Sequence, residues 1–262
     1  MDAGSRDAVT PPEAPFVLLA GSGLLSASSD APETALRHMG LRPEAVASTG
    51  AEAAMFRLCF GNLRVLAGRA GPLRKGIADP DDRATSLLGV SLPSDWRGNC
   101  WFFTPEVDPG AERPSFDQFY RMLVLLIDLF GARQLFWSPA RLWTDAGQFR
   151  SAIAEMQTSG MPPVLHLVAF RRRDGAAGET VATRGLATLC GQELEAPVPP
   201  GWDMAAMVKR LARLALDMML NGPVERAQRT PGLASGEWVG LTPRARPDGG
   251  PATVLVEFSH DR

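Results

Sequence analysis

The chain has 262 residues, a formal net charge of −2 at neutral pH, and 45% hydrophobic and 21% charged residues. A chain of this length and composition can bury its own core without disulfides or metals, so we expect a globular protein. Because the net charge is close to zero and the arginines are spread along the chain, nucleic acid is disfavoured as the main partner.

The three cysteines, Cys59, Cys100 and Cys190, lie far apart and show none of the paired spacings of zinc or redox sites. An odd number of separated thiols is typical of a reducing compartment. The longest apolar run, Met122 to Ile127, is too short to span a bilayer, and the leader is too acidic for a signal peptide. We therefore expect a cytoplasmic protein without membrane insertion.

Residues 1–14 lack periodicity and contain a Pro-Pro pair, which predicts a mobile leader. The next predicted elements are a strand over Phe16–Ala20 and a helix over Ala31–Met39. Two β-prone runs on either side of Gly61-Asn62 then predict a hairpin. This order is that of a β-α-β-β unit.

The segment from Gly71 to Pro114 is rich in Pro, Gly and Asp, and we interpret it as a long connection with one strand at Cys100–Phe103. A helix over Phe116–Phe130 follows, and its apolar composition predicts that it is buried. A strand over Gln134–Ser138 comes next, and then a helix that begins at Thr144 or Asp145.

The second half of the chain alternates apolar and polar runs in the same way. The elements predicted there are a central strand over Pro163–Phe170, a polar turn over Arg171–Gly178, a strand over Glu179–Thr183, a helix over Met204–Leu220 that Asp203 caps, irregular structure over 221–250 and a strand over Thr253–Phe258.

Strands and helices therefore alternate along the chain with hairpins between them. This pattern predicts an α+β fold, with mixed sheets built from β-α-β-β-type units and helices packed on one face. We expect a single α+β domain over 15–262, and two halves, 15–110 and 111–262, are the open alternative.

The sequence offers no standard catalytic constellation. It has no Gly-x-Ser-x-Gly motif, no glycine-rich loop ending in Gly-Lys-Ser/Thr and no pair of histidines at metal-ligand spacing. His166 lies in the predicted central strand, where a neutral imidazole with one backbone partner is the ordinary interpretation. We therefore predict no cofactor and no metal site.

Two groups of residues are candidates for an interface. Arg171, Arg172 and Arg173 could bind an acidic partner or phosphate, or they could form a solvated turn. Trp137 and Trp143 could anchor a partner protein, or they could belong to the core at a strand-to-helix turn.

The stretch Thr183–Ala196, TRGLATLCGQELEA, holds an arginine, a thiol and two carboxylates. In a strand, Glu193 and Glu195 point to the same side about 6.6 Å apart, close enough to raise one pKa for acid-base chemistry. In the alternative that we favour, the stretch is a strand and a turn, and Arg184 or a neighbouring arginine pairs with both carboxylates. Cys190 has no histidine nearby in the sequence to activate it.

The run Thr183-Arg-Gly-Leu186 followed by Gly191-Gln-Glu-Leu-Glu195, with a downstream helix and a closing strand, resembles the C-terminal part of a bacterial family known only as a domain of unknown function. Upstream, Trp137-Ser-Pro-Ala140 and Pro162-Pro-Val-Leu165 are similar in order to that family's middle section. The resemblance covers about half of the chain. Because that family has no established activity, it implies no catalytic role for Gly191, Glu193, Leu194 or Glu195.

These observations favour a cytoplasmic bacterial protein that binds another protein without catalysis, as an adaptor, accessory or immunity-type factor. The alternative is an enzyme or small-molecule binder with a cleft near Glu193 and Glu195, using Arg184, Cys190 and His166. The alternative gains support if His166 or an arginine lies within hydrogen-bond reach of the two glutamates in a concave pocket, and glutamates on an open face paired with surface arginines count against it. The partner, any substrate and the oligomeric state are left open by the sequence.

Overall fold

The computed structural model describes residues 15–21, 30–46, 55–70, 85–86, 90, 100–106, 116–175, 178–245 and 249–260. The chain divides into two compact units. The first comprises Met1–Pro80, Val90–Ser138 and Trp143–Thr158, and the second comprises Asp81–Gly89, Pro139–Leu142 and Ser159–Arg262. The first unit includes residues on both sides of position 110. The single domain over 15–262 and its alternative, the two halves 15–110 and 111–262, stay predictions. The predicted leader lies outside the described residues.

The helices and strands follow one another in an order close to the predicted one. In chain order they are β1 (Val17–Ala20), α1 (Asp30–His38), β2 (Glu44–Val46), β3 (Met55–Phe60), β4 (Leu63–Ala70), β5 (Thr85–Ser86), β6 (Cys100–Glu106), α2 (Phe116–Phe130), β7 (Gln134–Trp137), β8 (Leu142–Asp145), α3 (Ala146–Ser159), α4 (Val164–Leu167), β9 (Ala169–Gly175), β10 (Gly178–Arg184), α5 (Leu186–Cys190), β11 (Gln192–Pro197), α6 (Met204–Asn221), β12 (Gln228–Pro231), β13 (Glu237–Arg244) and β14 (Ala252–His260).

The predicted α+β class is confirmed, because each unit carries helices and one seven-stranded sheet. The first sheet has the strand order β2-β3-β4-β6-β1-β7-β8, and the second has the order β12-β13-β14-β11-β10-β9-β5. In the second sheet β11 and β14 are parallel, and its other pairs are antiparallel, so this sheet is mixed as predicted.

Aromatic side chains of α2 pack on the first sheet and form much of the core of the first unit. Phe130 stacks on Trp101 of β6, with ring centroids 6.3 Å apart. Tyr120 meets Trp137 of β7 edge-on at 6.1 Å. The apolar sequence of α2 therefore predicted its burial correctly, because large aromatic surfaces are stabilised by leaving water.

The predicted strand over Pro163–Phe170 and the predicted irregular region over 221–250 are both wrong in part. Residues 164–167 form one helical turn instead of a strand, because Pro162 and Pro163 precede it and their carbonyls accept the N–H groups of Val164 and His166. A short run that is apolar on both faces does not distinguish a buried strand from a buried helix. The region 221–250 is not irregular throughout, since it contains β12 and β13.

The sequence pattern does not predict strand β13, because a charged residue, Glu237, occupies a position that faces the core. Glu237, Val239 and Leu241 are buried and alternate with more exposed residues, which is the period of a strand. A carboxylate at the first of these positions, together with Gly240 and Pro243, hides that period in the sequence.

The second sheet has two different faces. On the inner face, helix α6 covers Val239 and Phe258, and its own Met207, Leu211 and Ala215 are buried. This helix and its Asp203 cap are as predicted, since the Asp203 carboxylate accepts the Ala206 N–H at 2.6 Å. The inner face therefore holds the core of the second unit.

The opposite side of the second sheet, here called the outer face, is partly open to water. Cross-strand pairs place one row of side chains across five strands: Arg171, Ala182, Glu195, Leu255 and Thr242. Residues in further rows on the same face, Arg173, Arg229 and Glu257, are exposed. An antiparallel arrangement of this kind can bury one face and leave the other in contact with water.

Within the described part of the chain, no helix is both long and apolar enough to cross a membrane.

Candidate functional site

The stretch Thr183–Ala196 connects two neighbouring strands of the second sheet. Strand β10 ends at Arg184, helix α5 follows, and β11 begins at Gln192. The prediction of a strand and a simple turn therefore missed the five-residue helix. Gly185 and Gly191 delimit this helix with φ values of 95° and 87°, in the left-handed region that favours glycine.

The Glu193 carboxylate stabilises this connection by accepting hydrogen bonds from its backbone and from Thr183. Its Oε1 accepts hydrogen bonds from the N–H groups of Gly185 at 2.8 Å and Ala187 at 3.1 Å. Its Oε2 accepts a hydrogen bond from the Thr183 hydroxyl at 2.7 Å. The first N–H groups of a helix have no partner inside the helix, so the carboxylate caps α5.

Thr183 links the same carboxylate to the sheet. Its hydroxyl oxygen accepts the Leu194 N–H at 2.7 Å while its proton goes to Glu193. A side chain therefore replaces a backbone carbonyl at the point where β10 and β11 separate. The end of β10, the start of α5 and the start of β11 are held by one hydrogen-bonded group.

Opposing effects act on the pKa of Glu193. Burial raises this pKa, and the hydrogen bonds from Thr183, Ala187 and Gly185 act in the opposite direction. The contacts of the carboxylate within the described residues include no histidine and no arginine. The predicted arginine partner is therefore not what holds Glu193, and its oxygens are directed at the protein's own donors.

A second segment lies against the same connection. A Cβ atom at Gly185 would lie 2.9 Å from the Ala140 backbone, so a larger residue does not fit. The Arg171 Nη2 group donates to the carbonyl of Ala140 at 3.2 Å and to that of Arg141 at 3.4 Å. Three segments that are far apart along the chain therefore meet in the second unit: the turn at Ala140 and Arg141, the arginine run at Arg171, and the start of α5 at Gly185.

The other candidate residues are not among the hydrogen-bond partners of the Glu193 carboxylate, which are Thr183, Gly185 and Ala187. Glu195 and Arg184 are half-buried, and His166 is half-buried in α4. The Cys190 sulfur lies 3.5 Å from the Leu186 carbonyl oxygen, and burial raises the pKa of the thiol. A raised pKa disfavours the thiolate that a nucleophile requires.

Trp137 and Trp143 belong to the core of the first unit. Their side chains are 1% and 7% exposed. Trp143 packs on Phe136 with centroids 5.2 Å apart, and Trp137 packs on Tyr120. These contacts support the core interpretation and not the interface interpretation.

The three consecutive arginines lie in strand β9, where the sequence predicts a polar turn. Arg171 is buried, with 4% of its surface exposed, whereas Arg172 and Arg173 are exposed. Arg172 forms ion pairs with Glu179 and Asp174. Strand alternation places Arg172 on the opposite face from Arg171 and Arg173, and the contacts of Arg171 with the Ala140 and Arg141 carbonyls distinguish it from Arg173.

The sequence interpretation missed a second charged group, which lies between α6 and the inner face. The Glu237 carboxylate accepts two hydrogen bonds from Arg210, both at 2.7 Å, and this guanidinium lowers the pKa of Glu237. The Arg210 guanidinium also lies 4.2 Å from the centroid of the Trp202 ring. A cavity of about 20 Å³ beside this pair has room for a water molecule but not for a substrate.

No group of three or more His, Cys, Asp or Glu side chains among the described residues is arranged to hold a metal ion.

Comparisons of the chain with family models, with curated proteins and with solved structures give no match. The resemblance of the C-terminal half to a bacterial domain of unknown function stays a prediction.

We expect Glu193→Ala to lower the free energy of unfolding by about 2–4 kcal/mol, because it leaves three donors without their acceptor. Glu195→Ala is the matched control, and we expect it to change the free energy of unfolding by less than about 1 kcal/mol because Glu195 is half-exposed on the same strand. Urea denaturation of both variants measures the difference. Equal effects would contradict the capping role of Glu193.

The same carboxylate predicts a pH dependence. Because the folded-state pKa of Glu193 is raised above its ordinary value of 4.5, the associated stabilisation is complete below that pH and is lost as the pH rises through the folded pKa. Glu193→Gln does not titrate, so its free energy of unfolding should improve relative to the wild type as the pH rises from about 4 to about 8. Parallel stability curves for the two proteins would refute this assignment.

Proposed function

We propose that the protein acts by binding another protein, without catalysis, as an adaptor, accessory or immunity-type factor. The observation that carries this proposal is the environment of Glu193, one of the two carboxylates on which the alternative of an enzyme or small-molecule binder depends. Its two oxygens accept hydrogen bonds from Thr183, Gly185 and Ala187, so they stabilise the fold. General acid-base catalysis requires a group within reach of a substrate proton.

The outer face of the second sheet supports the proposal from another direction. Trp238 and Leu255 are half-exposed on this face, and the Arg229 guanidinium lies 4.6 Å from the centroid of the Trp238 ring. Tryptophan and arginine are enriched among the residues that contribute most to protein–protein binding. The stacked Trp–Arg pair and the partly exposed leucine lie on the same face but not side by side, because Trp238 opposes Ser259 and Leu255 lies four residues from Ser259 along β14. Their residue types are those of such a contact surface.

The test is affinity purification of the tagged protein from its native host, with mass spectrometry of both proteins and small molecules. We expect Leu255→Asp to reduce the recovery of a specific partner at least tenfold, because it places a charge in the centre of the outer face. Leu165→Asp is the matched control, because Leu165 is 49% exposed on α4, which contacts α6, the helix on the opposite face of the sheet. Urea denaturation establishes that both variants are folded.

Two results would contradict the proposal. One is equal recovery of every bound protein by the wild type and Leu255→Asp. The other is a small molecule that co-purifies with the wild type and is lost from Glu195→Ala, because that result would favour a binding cleft beside the two glutamates.

A further inference from the structure

The three arginines of β9 have different surroundings, and one of them stands out. Arg171 reaches the carbonyls of Ala140 and Arg141, and Arg172 pairs with acidic side chains. Arg173 is exposed on the outer face, next to Thr180 in the register, and it forms no ion pair within the described residues. Arg171 and Arg173 lie on the same face, two residues apart, so about 6.6 Å of strand separates them.

Arg141 is the second unusual arginine in this place. Its φ value of 47° is the only positive one at a non-glycine residue in the described part of the chain. This conformation is unfavourable for a residue with a Cβ atom, and it persists where the surroundings enforce it. Here the enforcing contacts are the hydrogen bond from Arg171 and the close packing of Ala140 on Gly185.

The guanidinium of Arg141, like that of Arg173, forms no ion pair with any residue that the structure describes. The Arg141 side chain is half-buried, and no described residue forms an ion pair or hydrogen bond with it. Two arginines that have no acidic partner among the described residues therefore neighbour Arg171: the backbone carbonyl of Arg141 accepts its Nη2 group, and Arg173 lies two residues along β9. The carboxylate in the Arg171 row is that of Glu195, two strands away and therefore about 10 Å from it.

We infer that this end of the outer face docks an acidic segment of a partner protein, with Arg141 and Arg173 donating hydrogen bonds to its carboxylates. The inference rests on the proposed function and names the chemistry of the partner. A guanidinium presents a planar pair of donors that fits a carboxylate, and such charge-assisted hydrogen bonds are stronger than neutral ones. The strained turn holds the Arg141 backbone in place before binding, which reduces the entropy lost on association.

A carboxylate suits this place better than a phosphate. A phosphate site usually adds backbone N–H groups to its cationic side chains. The N–H groups of Gly185 and Ala187, at the start of α5 close to Ala140, already donate to Glu193. The arginine side chains are left as the donors for an incoming acidic segment.

The probe is an acetylated, fluorescein-labelled hexaglutamate peptide, and the measurement is fluorescence anisotropy at low ionic strength. We expect Arg173→Ala to weaken binding about tenfold, the effect of losing one charge-assisted hydrogen bond. Arg172→Ala is the matched control, because Arg172 is the next residue in the same strand, faces the other way and pairs with Glu179. It should bind the peptide like the wild type.

Arg141→Gly gives a second readout that a purely structural role would not produce. Glycine adopts a φ value of 47° without strain, so this variant should unfold at an equal or higher urea concentration than the wild type. Its affinity for the peptide should nevertheless fall about tenfold. Raising the salt concentration should weaken peptide binding to the wild type, because exposed charges are screened.

Three results would overturn the inference. They are equal losses of affinity in Arg172→Ala and Arg173→Ala, equal binding of a labelled hexalysine peptide, and displacement of the hexaglutamate peptide by inorganic phosphate at lower concentration than by free glutamate. These failures are distinguishable from failure of the proposed function. If Arg173→Ala retains a specific partner from the host and Leu255→Asp loses it, the protein binds a partner on the outer face, but the partner does not dock an acidic segment at Arg141 and Arg173.

Discussion

The hydrogen bonds of the half-buried Glu193 carboxylate are the interaction on which the candidate site depends. It accepts two backbone N–H groups from the start of α5 and the hydroxyl of Thr183, and Thr183 accepts the N–H of Leu194. A five-residue helix is too short to be stable by its own hydrogen bonds, so it requires an acceptor from elsewhere. The connection between two strands is therefore fixed by one side chain.

The position of this helix has consequences at a distance. Gly185 stands at its start, and its missing side chain lets the Ala140 backbone approach closely. The approach brings the carbonyls of Ala140 and Arg141 to the Arg171 guanidinium. The buried Arg171 thus stabilises a turn, while Arg173 on the same outer face meets solvent. Glu193, which the sequence offers as a candidate for acid-base chemistry, therefore helps to position the turn at Ala140 and Arg141 beside Arg171.

Elements with strong local signals could be predicted from the sequence, whereas those that depend on distant contacts could not. Helix α6 was predicted within one residue, because its apolar stripe and the Asp203 cap are both local signals. Helices α4 and α5 were missed because one follows a Pro-Pro pair and the other depends on Glu193. Strand β13 was missed because Arg210, which neutralises Glu237, lies 27 residues earlier in the chain.

The candidate site shows the same division. Strand alternation correctly predicted that Glu193 and Glu195 lie in one strand. The identity of the Glu193 partners could not be predicted, because an arginine in the sequence is a more obvious partner than a threonine hydroxyl and two backbone N–H groups. The burial of Trp137 and Trp143 depends equally on packing that the sequence does not show.

The most direct test of the central claim is hydrogen exchange of the Gly185 and Ala187 amides, measured by NMR in the wild type and in Glu193→Gln and Glu193→Ala. N–H groups at the start of a helix normally exchange fast, because they lack a partner inside the helix. If the carboxylate is their acceptor, both amides are protected in the wild type, remain partly protected in Glu193→Gln and lose protection in Glu193→Ala. Fast exchange of both amides in the wild type, or unchanged protection in Glu193→Ala, would contradict the account.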